Sequence, residues 1–238
     1  MPLLSGAVVL VTGANGGLGR ELVEQALARG AAKVYATARR PQEWNDSRVV
    51  PLALDVTNPD SIRAAVTLAQ DVTVLINNAG MGVESDTFLA LPDENVREVM
   101  ETNFFGPVAL TKAFAPVLAA SGTSAVLNIH SVLSWIALTG AYSASKAALW
   151  SATNSFRVEL APHGTQVTGV HLGYMDTAMA KGVNAPKISP EEVARKSFDG
   201  LEQGEYEVIV DEISAGVKLG LSGSNLDLYP ALATQAPA

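Results

Sequence analysis

The chain contains no cysteine, which excludes disulfides, a thiol nucleophile and a zinc–thiolate site. Only 17% of its 238 residues are charged, and acidic residues outnumber basic ones to give a net charge of −8. A nucleic-acid surface requires clustered lysine and arginine, whereas the basic residues here are scattered. We therefore expect no nucleic-acid partner. The lack of cysteine fits a reducing compartment, and we predict a cytoplasmic protein.

Long uninterrupted apolar runs are also lacking. Residues 113–145 contain no Asp, Glu, Lys or Arg, but Pro116, Gly122 and Asn128 interrupt them, so no apolar run of about 18 residues remains. We interpret this stretch as buried interior and expect no membrane association. The first residues carry no basic segment, so we expect no signal peptide.

Short apolar runs alternate with amphipathic stretches along most of the chain. Strands are predicted at 7–12, 33–37, 49–54, 72–76, 125–130, 167–172 and 205–212. Helices are predicted at 17–29, 59–69, 93–120, 141–162, from 189 to about 201, and near 213–220. The connection at 38–48 holds a proline and is expected to be a loop or a single turn.

This alternation predicts an α/β protein. We expect a single-domain, doubly wound Rossmann fold with a mostly parallel sheet of about seven strands. No repeat or linker divides the chain, so one domain is assigned to 1–232 and a disordered tail to 233–238.

A glycine-rich segment lies between the first predicted strand and helix. It has the spacing Thr12-Gly13-x-x-x-Gly17-x-Gly19. Glycines allow a tight turn and a close approach of the backbone to a pyrophosphate at a helix N-terminus. The segment therefore predicts a dinucleotide-binding loop.

Two further motifs follow, NNAG at 77–80 and YSASK at 142–146. Together with the glycine loop they resemble the short-chain dehydrogenase/reductase family, in the family's order and across nearly the whole chain. The resemblance implies a nicotinamide cofactor and metal-free interconversion of a small-molecule carbonyl compound and its alcohol. A catalytically silent dinucleotide sensor or scaffold, or a lyase, epimerase or dehalogenase on the same fold, stays an alternative.

The proton chemistry is assigned to Tyr142 and Lys146, which lie one helical turn apart on one face. A free tyrosine has a pKa near ~10, and a neighbouring ammonium group is expected to lower it. By resemblance, Lys146 also binds the nicotinamide ribose and Ser131 polarises the substrate oxygen, with Ser134 as a competitor for that role. Asn103 resembles the family's helix-kinking asparagine, whose main-chain carbonyl holds a water in a proton relay behind the lysine; the alternative is a polar residue on a helix surface.

The resemblance implies a set of cofactor-contacting residues, some from strand ends and some from the active-site helix. These residues are Thr12, Gly13, Asn15, Gly17, Leu18, Gly19, Arg39, Asp55, Val56, Asn77, Ala79, Gly80, Tyr142, Lys146, Gly173 and Thr177.

The end of the second strand distinguishes the two nicotinamide cofactors. An acidic residue at this position binds the ribose of NAD, and an arginine nearby accommodates the 2′-phosphate of NADP. Here Ala38 takes the acidic position and Arg39 and Arg40 follow it, which favours NADP(H). The alternative is that Arg39 and Arg40 are solvent-exposed loop residues with no role in binding. NAD(H) stays possible because Gly16 stands where many NADP-dependent members carry a basic residue.

Residues after the strand ends predict an apolar substrate pocket. They are Val132, Leu133, Trp135, Tyr174, Met175 and Met179. Trp135 is alternatively a loop-packing or interface residue. His171, at the end of a strand, is interpreted as structural rather than catalytic, and no His, Asp or Glu cluster has metal-ligand spacing. The long helices imply a homodimer or homotetramer by resemblance, and a monomer stays open.

Overall fold

The computed structural model describes residues 4–82, 87–177, 180–182 and 184–235. Its centre is one sheet of seven strands: β1 (Val8–Thr12), β2 (Lys33–Ala38), β3 (Val49–Ala53), β4 (Val74–Asn77), β5 (Ser124–Ile129), β6 (Thr165–His171) and β7 (Glu207–Ile209). The strand order is β3-β2-β1-β4-β5-β6-β7, and every neighbouring pair is parallel. The predicted fold class is confirmed, and the sheet is wholly rather than mostly parallel.

Helices cover both faces of the sheet, as parallel strands require. They are α1 (Gly17–Ala28), α2 (Pro59–Leu68), α3 (Asp93–Met100), α4 (Gly106–Ala120), α5 (Gly140–Leu160), α6 (Pro190–Gln203), α7 (Glu212–Gly220) and α8 (Asn225–Leu228). Side-chain caps start several of them: Asn58 caps α2, Ser189 caps α6 and Asp211 caps α7. As predicted, the connection between β2 and β3 contains no helix.

The alternation of side chains along each strand divides the core into two layers. In β1, Val9 and Val11 pack in one layer with α1 and α6, whereas Leu10 packs in the other with α2, α4 and α5. Phe198 and Phe114, on opposite sides of the sheet, are both fully buried. The two layers fix the strand ends, where the loops that carry the predicted motifs emerge.

The predicted helix over 93–120 is interrupted. A π-helical turn, Glu101–Phe105, separates α3 from α4 and contains Asn103, which agrees with the distortion that asparagine predicted there. By length and composition alone, Asp93–Ala120 is apolar enough to cross a membrane, a test that the core helix of a soluble protein also passes. Leu110, Phe114 and Leu118 of this stretch are fully buried in the core, which favours the second interpretation.

The chain ends in a 3-10 turn over Pro230–Gln235. The disordered tail predicted for 233–238 overlaps this turn at 233–235, and 236–238 lie outside the described residues. The last strand is shorter than the predicted 205–212, because Gly204 ends α6 in a left-handed conformation and Asp211 already caps α7.

Candidate active site

A cleft of about 1650 Å³ opens beyond the carboxyl ends of the central strands. This is where open α/β sheets bind ligands, at the point where the strand order reverses between β1 and β4. Its walls come from the glycine loop, the ends of β2 to β6, and α5 and α7. Most of the predicted site residues line it: Gly13, Asn15, Gly17, Leu18, Gly19, Arg39, Asp55, Val56, Ala79, Gly80, Ser131, Val132, Leu133, Tyr142, Lys146, Gly173, Tyr174, Met175 and Thr177.

The glycine loop is shaped to admit a phosphate group. Gly13 and Gly17 have φ angles of +68° and +53°, in the left-handed region that favours glycine. A Cβ at Gly19 would collide with the carbonyl oxygen of Gly13, so a larger residue would push the loop open. The first turn of α1 has no side-chain cap and no acidic residue, which leaves its N–H groups free for an anion. These residues fit a dinucleotide.

Two residues predicted to contact the cofactor, Thr12 and Asn77, do not line the cleft. Thr12 does not line the cleft, because its hydroxyl donates to the carbonyl of Ile76 and accepts the N–H groups of Asn78 and Ala79 at 2.9 Å. Asn77 points into the core, since its amide donates to Asn128 Oδ1 at 2.8 Å. Its neighbour Asn78 lines the cleft instead.

One end of the cleft carries the polar residues predicted to bind the adenosine half. The Asp55 carboxylate accepts the backbone N–H of Thr57 at 2.9 Å and its hydroxyl at 2.7 Å. These hydrogen bonds lower the pKa of Asp55, and the guanidinium of Arg39 adds a smaller effect in the same direction. The Asn15 amide donates to the carbonyl of Arg40 at 2.8 Å, which joins the glycine loop to the loop after β2.

The other end holds the predicted proton-transfer residues. Ser131 follows β5, and its hydroxyl is near enough to the phenol of Tyr142 on α5 to lower the pKa of that phenol. Lys146, one turn further along α5, is only 4% exposed, and its Nζ lies 5.7 Å from the centre of the Tyr142 ring. Ser134 is buried outside the cleft, where its hydroxyl accepts the N–H of Ser131 at 3.3 Å. The structure therefore brings Ser131, and not Ser134, to the tyrosine.

The acidity of the Tyr142 phenol differs from the expectation. Burial around its hydroxyl raises the pKa of Tyr142 to about 12, and the nearby Ser131 hydroxyl offsets this only in part. Burial also lowers the pKa of Lys146 to about 8. The expected lowering of the Tyr142 pKa by Lys146 is therefore not observed, because burial of the phenol dominates.

Asn103 is fully buried, so the interpretation as a surface residue is wrong. Its side-chain oxygen accepts the N–H of Met81 at 2.8 Å, and its Nδ2 donates to the carbonyl of Met81 at 2.9 Å. Nδ2 also lies 3.0 Å from the hydroxyl of Ser145, the residue before Lys146. Asn103 therefore joins the segment after β4 to the active-site helix.

Most of the residues predicted for the substrate wall line the cleft. Met179 lies outside the described residues. Trp135 does not line the cleft, because its ring stacks on His171 with centroids 4.0 Å apart. Ile136, Leu138, Thr139 and Ile213 also line it. Ile213 comes from the first turn of α7, and no motif in the sequence marks it.

Within the described residues, no group of three His, Cys, Asp or Glu side chains is arranged to hold a metal ion. The site consists of hydroxyl, phenol and ammonium groups next to a glycine loop.

Comparisons with known proteins agree with this arrangement. The family model for short chain dehydrogenases matches residues 7–188. A short-chain dehydrogenase from Burkholderia cenocepacia J2315, solved in complex with NADP, is 37% identical with a TM-score of 0.90, over 97% of this chain and 99% of that chain.

Two known reductases also match. The 3-ketodihydrosphingosine reductase of Bacteroides thetaiotaomicron is 35% identical over 188 residues, which are 76% of this chain and 69% of the relative. The NADPH-dependent 1-acyldihydroxyacetone phosphate reductase of Schizosaccharomyces pombe is 37% identical over 181 residues, 71% of this chain and 60% of the relative. With its motifs, fold and cleft, the chain belongs to the short-chain dehydrogenase/reductase family and is an NAD(P)-dependent oxidoreductase.

Proposed function

We propose that the protein interconverts a ketone or aldehyde and the corresponding alcohol on a small to medium apolar substrate, with NADP(H) as cofactor. One observation carries this proposal. The side chains of Ser131 and Tyr142, with Lys146 one turn away, line the same cleft as the glycine loop.

The chain's own residues divide the proton chemistry. When bound, the nicotinamide supplies or accepts the hydride. Tyr142, with a pKa of about 12, is protonated at neutral pH and donates the proton that a carbonyl oxygen takes up during reduction. Ser131 orients the same oxygen, because its hydroxyl and the phenol face the same part of the cleft. Lys146 places a cation behind the phenol, where it favours the phenolate left after proton transfer.

Asn103 supports this arrangement from behind. Its amide holds both the N–H and the carbonyl of Met81 and contacts Ser145, so it fixes α5 against the segment that follows β4. The π turn makes this possible by turning the Asn103 side chain into the protein rather than along the helix surface. We assign Asn103 the role of holding the lysine's surroundings in place for proton transfer.

The cofactor preference rests on the end of β2. Ala38 leaves no carboxylate to bind ribose hydroxyls, and Arg39 is exposed at the rim of the same cleft, where a 2′-phosphate would meet its guanidinium. The NADP complex of the Burkholderia protein and the NADPH dependence of the yeast reductase support the same choice.

The substrate class follows from the other end of the cleft. Among the described wall residues at 131–139, 172–175 and 213, none is charged. Leu138, Tyr174 and Ile213 are 58%, 44% and 51% exposed, so apolar surface continues from the catalytic group to the mouth. An apolar group attached to the carbonyl would cover this surface and gain hydrophobic free energy. We also propose a cytoplasmic protein that forms a homodimer or homotetramer.

The proposal is tested by assaying ketones, aldehydes and alcohols with both cofactors through the absorbance of the reduced nicotinamide. We expect turnover of apolar carbonyl compounds with NADPH. Tyr142→Phe should lose at least about a thousandfold in turnover, because the proton donor is removed, while NADPH binding stays within about twofold. Tyr174→Phe, which keeps a ring at the rim of the cleft, is the matched control. A wild-type protein that binds NADPH but turns over none of these compounds would favour the catalytically silent sensor.

A further inference from the structure

Three aromatic rings, two of them fully buried histidines and the third half-buried, are stacked behind the candidate active site. His171 lies between Trp135 and His130, with ring centroids 4.0 Å and 4.8 Å away. Its side chain has 0% exposure. The family resemblance assigns no role to His171, and its ring does not line the cleft. Its polar atoms nevertheless reach the residue that the proposed mechanism depends on.

The Nδ1 atom of His171 lies 3.2 Å from the main-chain carbonyl oxygen of Ser131. A carbonyl only accepts hydrogen bonds, so this contact is a hydrogen bond only when Nδ1 carries the proton. The other ring nitrogen, Nε2, is 3.4 Å from the Glu207 carboxylate and has no hydrogen-bond partner. One neutral ring has a single proton for two acceptors.

The residues around His171 determine which of its two ring nitrogens carries the proton. Glu207 already forms an ion pair with Lys218 at 2.7 Å, so its charge is paired. Burial lowers the pKa of His171 to about 4; Glu207 and the contact with the Ser131 carbonyl raise it by less, and the cations Lys218 and Arg157 lower it further. His130, packed against the other face, is neutral for the same reason, since burial lowers its pKa well below the usual value. The ring is therefore neutral near neutral pH, and only the Ser131 carbonyl is within hydrogen-bonding geometry.

The Ser131 carbonyl, just beyond the end of β5, already accepts the N–H of Ser134 at 2.9 Å, and its second lone pair is available to His171 as a further donor. The main-chain pairing of β5 with β6 continues with the bond from His130 N–H to the Val170 carbonyl and resumes at Val132. The Ser131 hydroxyl already accepts the N–H of Leu133 at 3.2 Å. A donor on its carbonyl restricts rotation of the peptide that follows, and thereby the direction of the Cβ–Oγ bond.

We propose that His171 is a positioning residue: its Nδ1–H donates to the Ser131 carbonyl and holds the serine hydroxyl in line with the phenol of Tyr142. This rests on the proposed function of Ser131. His171 touches neither substrate nor cofactor, and its effect passes entirely through the serine. Trp135, stacked on its outer face, keeps the ring in the plane that this hydrogen bond requires.

Two amide substitutions separate positioning from mere filling of the core. The Nδ2 of asparagine takes the place of histidine Nδ1, whereas the Nε2 of glutamine takes the place of histidine Nε2. His171→Asn should keep the donor on Ser131, and His171→Gln should direct it toward Glu207. We expect kcat to fall roughly tenfold or more in His171→Gln, the effect of one lost hydrogen bond, and to stay within about threefold in His171→Asn. NADPH affinity should be unchanged in both, and His163→Asn, at an exposed histidine, is the control.

Equal losses in the two variants, or a smaller loss in His171→Gln, would overturn the proposal. A second measurement does not depend on turnover or on the stability of any variant. Long-range nitrogen–proton NMR of the wild-type protein, with ¹⁵N-labelled histidine, reports which nitrogen of His171 carries the proton. We expect Nδ1–H, and finding Nε2–H would rule out the donation to Ser131. If the wild-type protein turned over no carbonyl compound, the proposed function would fail while this measurement still tested the contact.

Discussion

Lys146 donates a hydrogen bond from Nζ to the main-chain carbonyl of Ile129, 2.8 Å away at the end of β5. Ser131 lies two residues further along the same segment. The lysine of the active-site helix is thus anchored to the strand that presents the serine. The hydrogen bond offsets part of the free energy that burying an ammonium group costs.

This buried cation predicts a variant that is more stable and inactive. The folded-state pKa of Lys146, about 8, lies below its ordinary value of 10.5, so keeping the ammonium group charged at neutral pH costs the folded protein free energy. Lys146→Met should raise the free energy of unfolding by about 1–2 kcal/mol, after allowing for the unpaired Ile129 carbonyl, and should abolish turnover. Urea denaturation with a parallel activity assay measures both, and a less stable Lys146→Met would contradict the argument.

The buried histidines predict sensitivity to acid. His171 has a folded-state pKa of about 4 against an ordinary 6.5, so its unfolded form binds the proton first as the pH falls. The stability due to its neutral state is complete above about pH 6.5 and is lost progressively as the pH falls toward 4. Between about pH 7 and about pH 5, His171→Asn should lose less stability than the wild type, by about 2 kcal/mol.

The matched control for this measurement is His163→Asn, since His163 is exposed on the turn after α5. Its unfolding free energy should depend on pH as that of the wild type does. An unchanged pH dependence in His171→Asn would show that the ring is not held neutral.

The end of β2 predicts a change of cofactor preference. Ala38→Asp combined with Arg39→Ser places a carboxylate where ribose hydroxyls bind and removes the guanidinium from the rim. The ratio of kcat/KM with NADPH to that with NADH should fall at least about a hundredfold, which corresponds to roughly 3 kcal/mol. Arg63→Ser removes an exposed arginine on α2 and should leave the ratio unchanged. An equal ratio in the double variant and the wild type would show that this corner does not bind the ribose.

The exposed apolar rim predicts a dependence on chain length. Across a series of straight-chain ketones, kcat/KM should rise about threefold to fourfold per methylene while the chain covers the wall and rim. Ile213→Ser should flatten this rise, because Ile213 lines the cleft mouth at the start of α7. Leu219→Ser, on the same helix at an 83% exposed position away from the cleft, should not. If kcat/KM rose equally per methylene in both variants, the substrate chain would not lie against Ile213.

Much of the site was predictable because it depends on local spacing. Tyr142 and Lys146 are four residues apart, so any helix over 140–160 places them on one face. The glycines at 13, 17 and 19 are required by backbone geometry that follows directly from a strand, a tight turn and a helix. The distortion of the helix at Asn103 was also predictable, because asparagine close to Gly106 and Pro107 disfavours a regular helix.

The errors concern side-chain direction at element ends and contacts between distant segments. Asn77 is the last residue of β4, and the alternation of the strand turns it into the core while Asn78 faces the cleft. Trp135 looked like a pocket residue because it follows Ser131 closely, but the 3-10 turn at 132–134 directs it toward His171. Ile213 reaches the cleft only because β7 and α7 complete the sheet edge. The pKa of Tyr142 depends on burial, which spacing does not reveal.

The π turn at Glu101–Phe105 adds one residue to a helix that would otherwise run unbroken, as shown by the bond from Gly106 N–H to the carbonyl of Glu101, five residues back. Deleting a single residue there would let this stretch close into a regular α-helix, because the turn is where the extra residue is accommodated, so α4 would keep Phe114 in the core. The deletion would instead remove the turn that directs the Asn103 side chain into the protein. In natural variants of this chain that lack one residue between Asp93 and Ala120, we therefore expect the π turn and the contact of Asn103 with Met81 to be lost together.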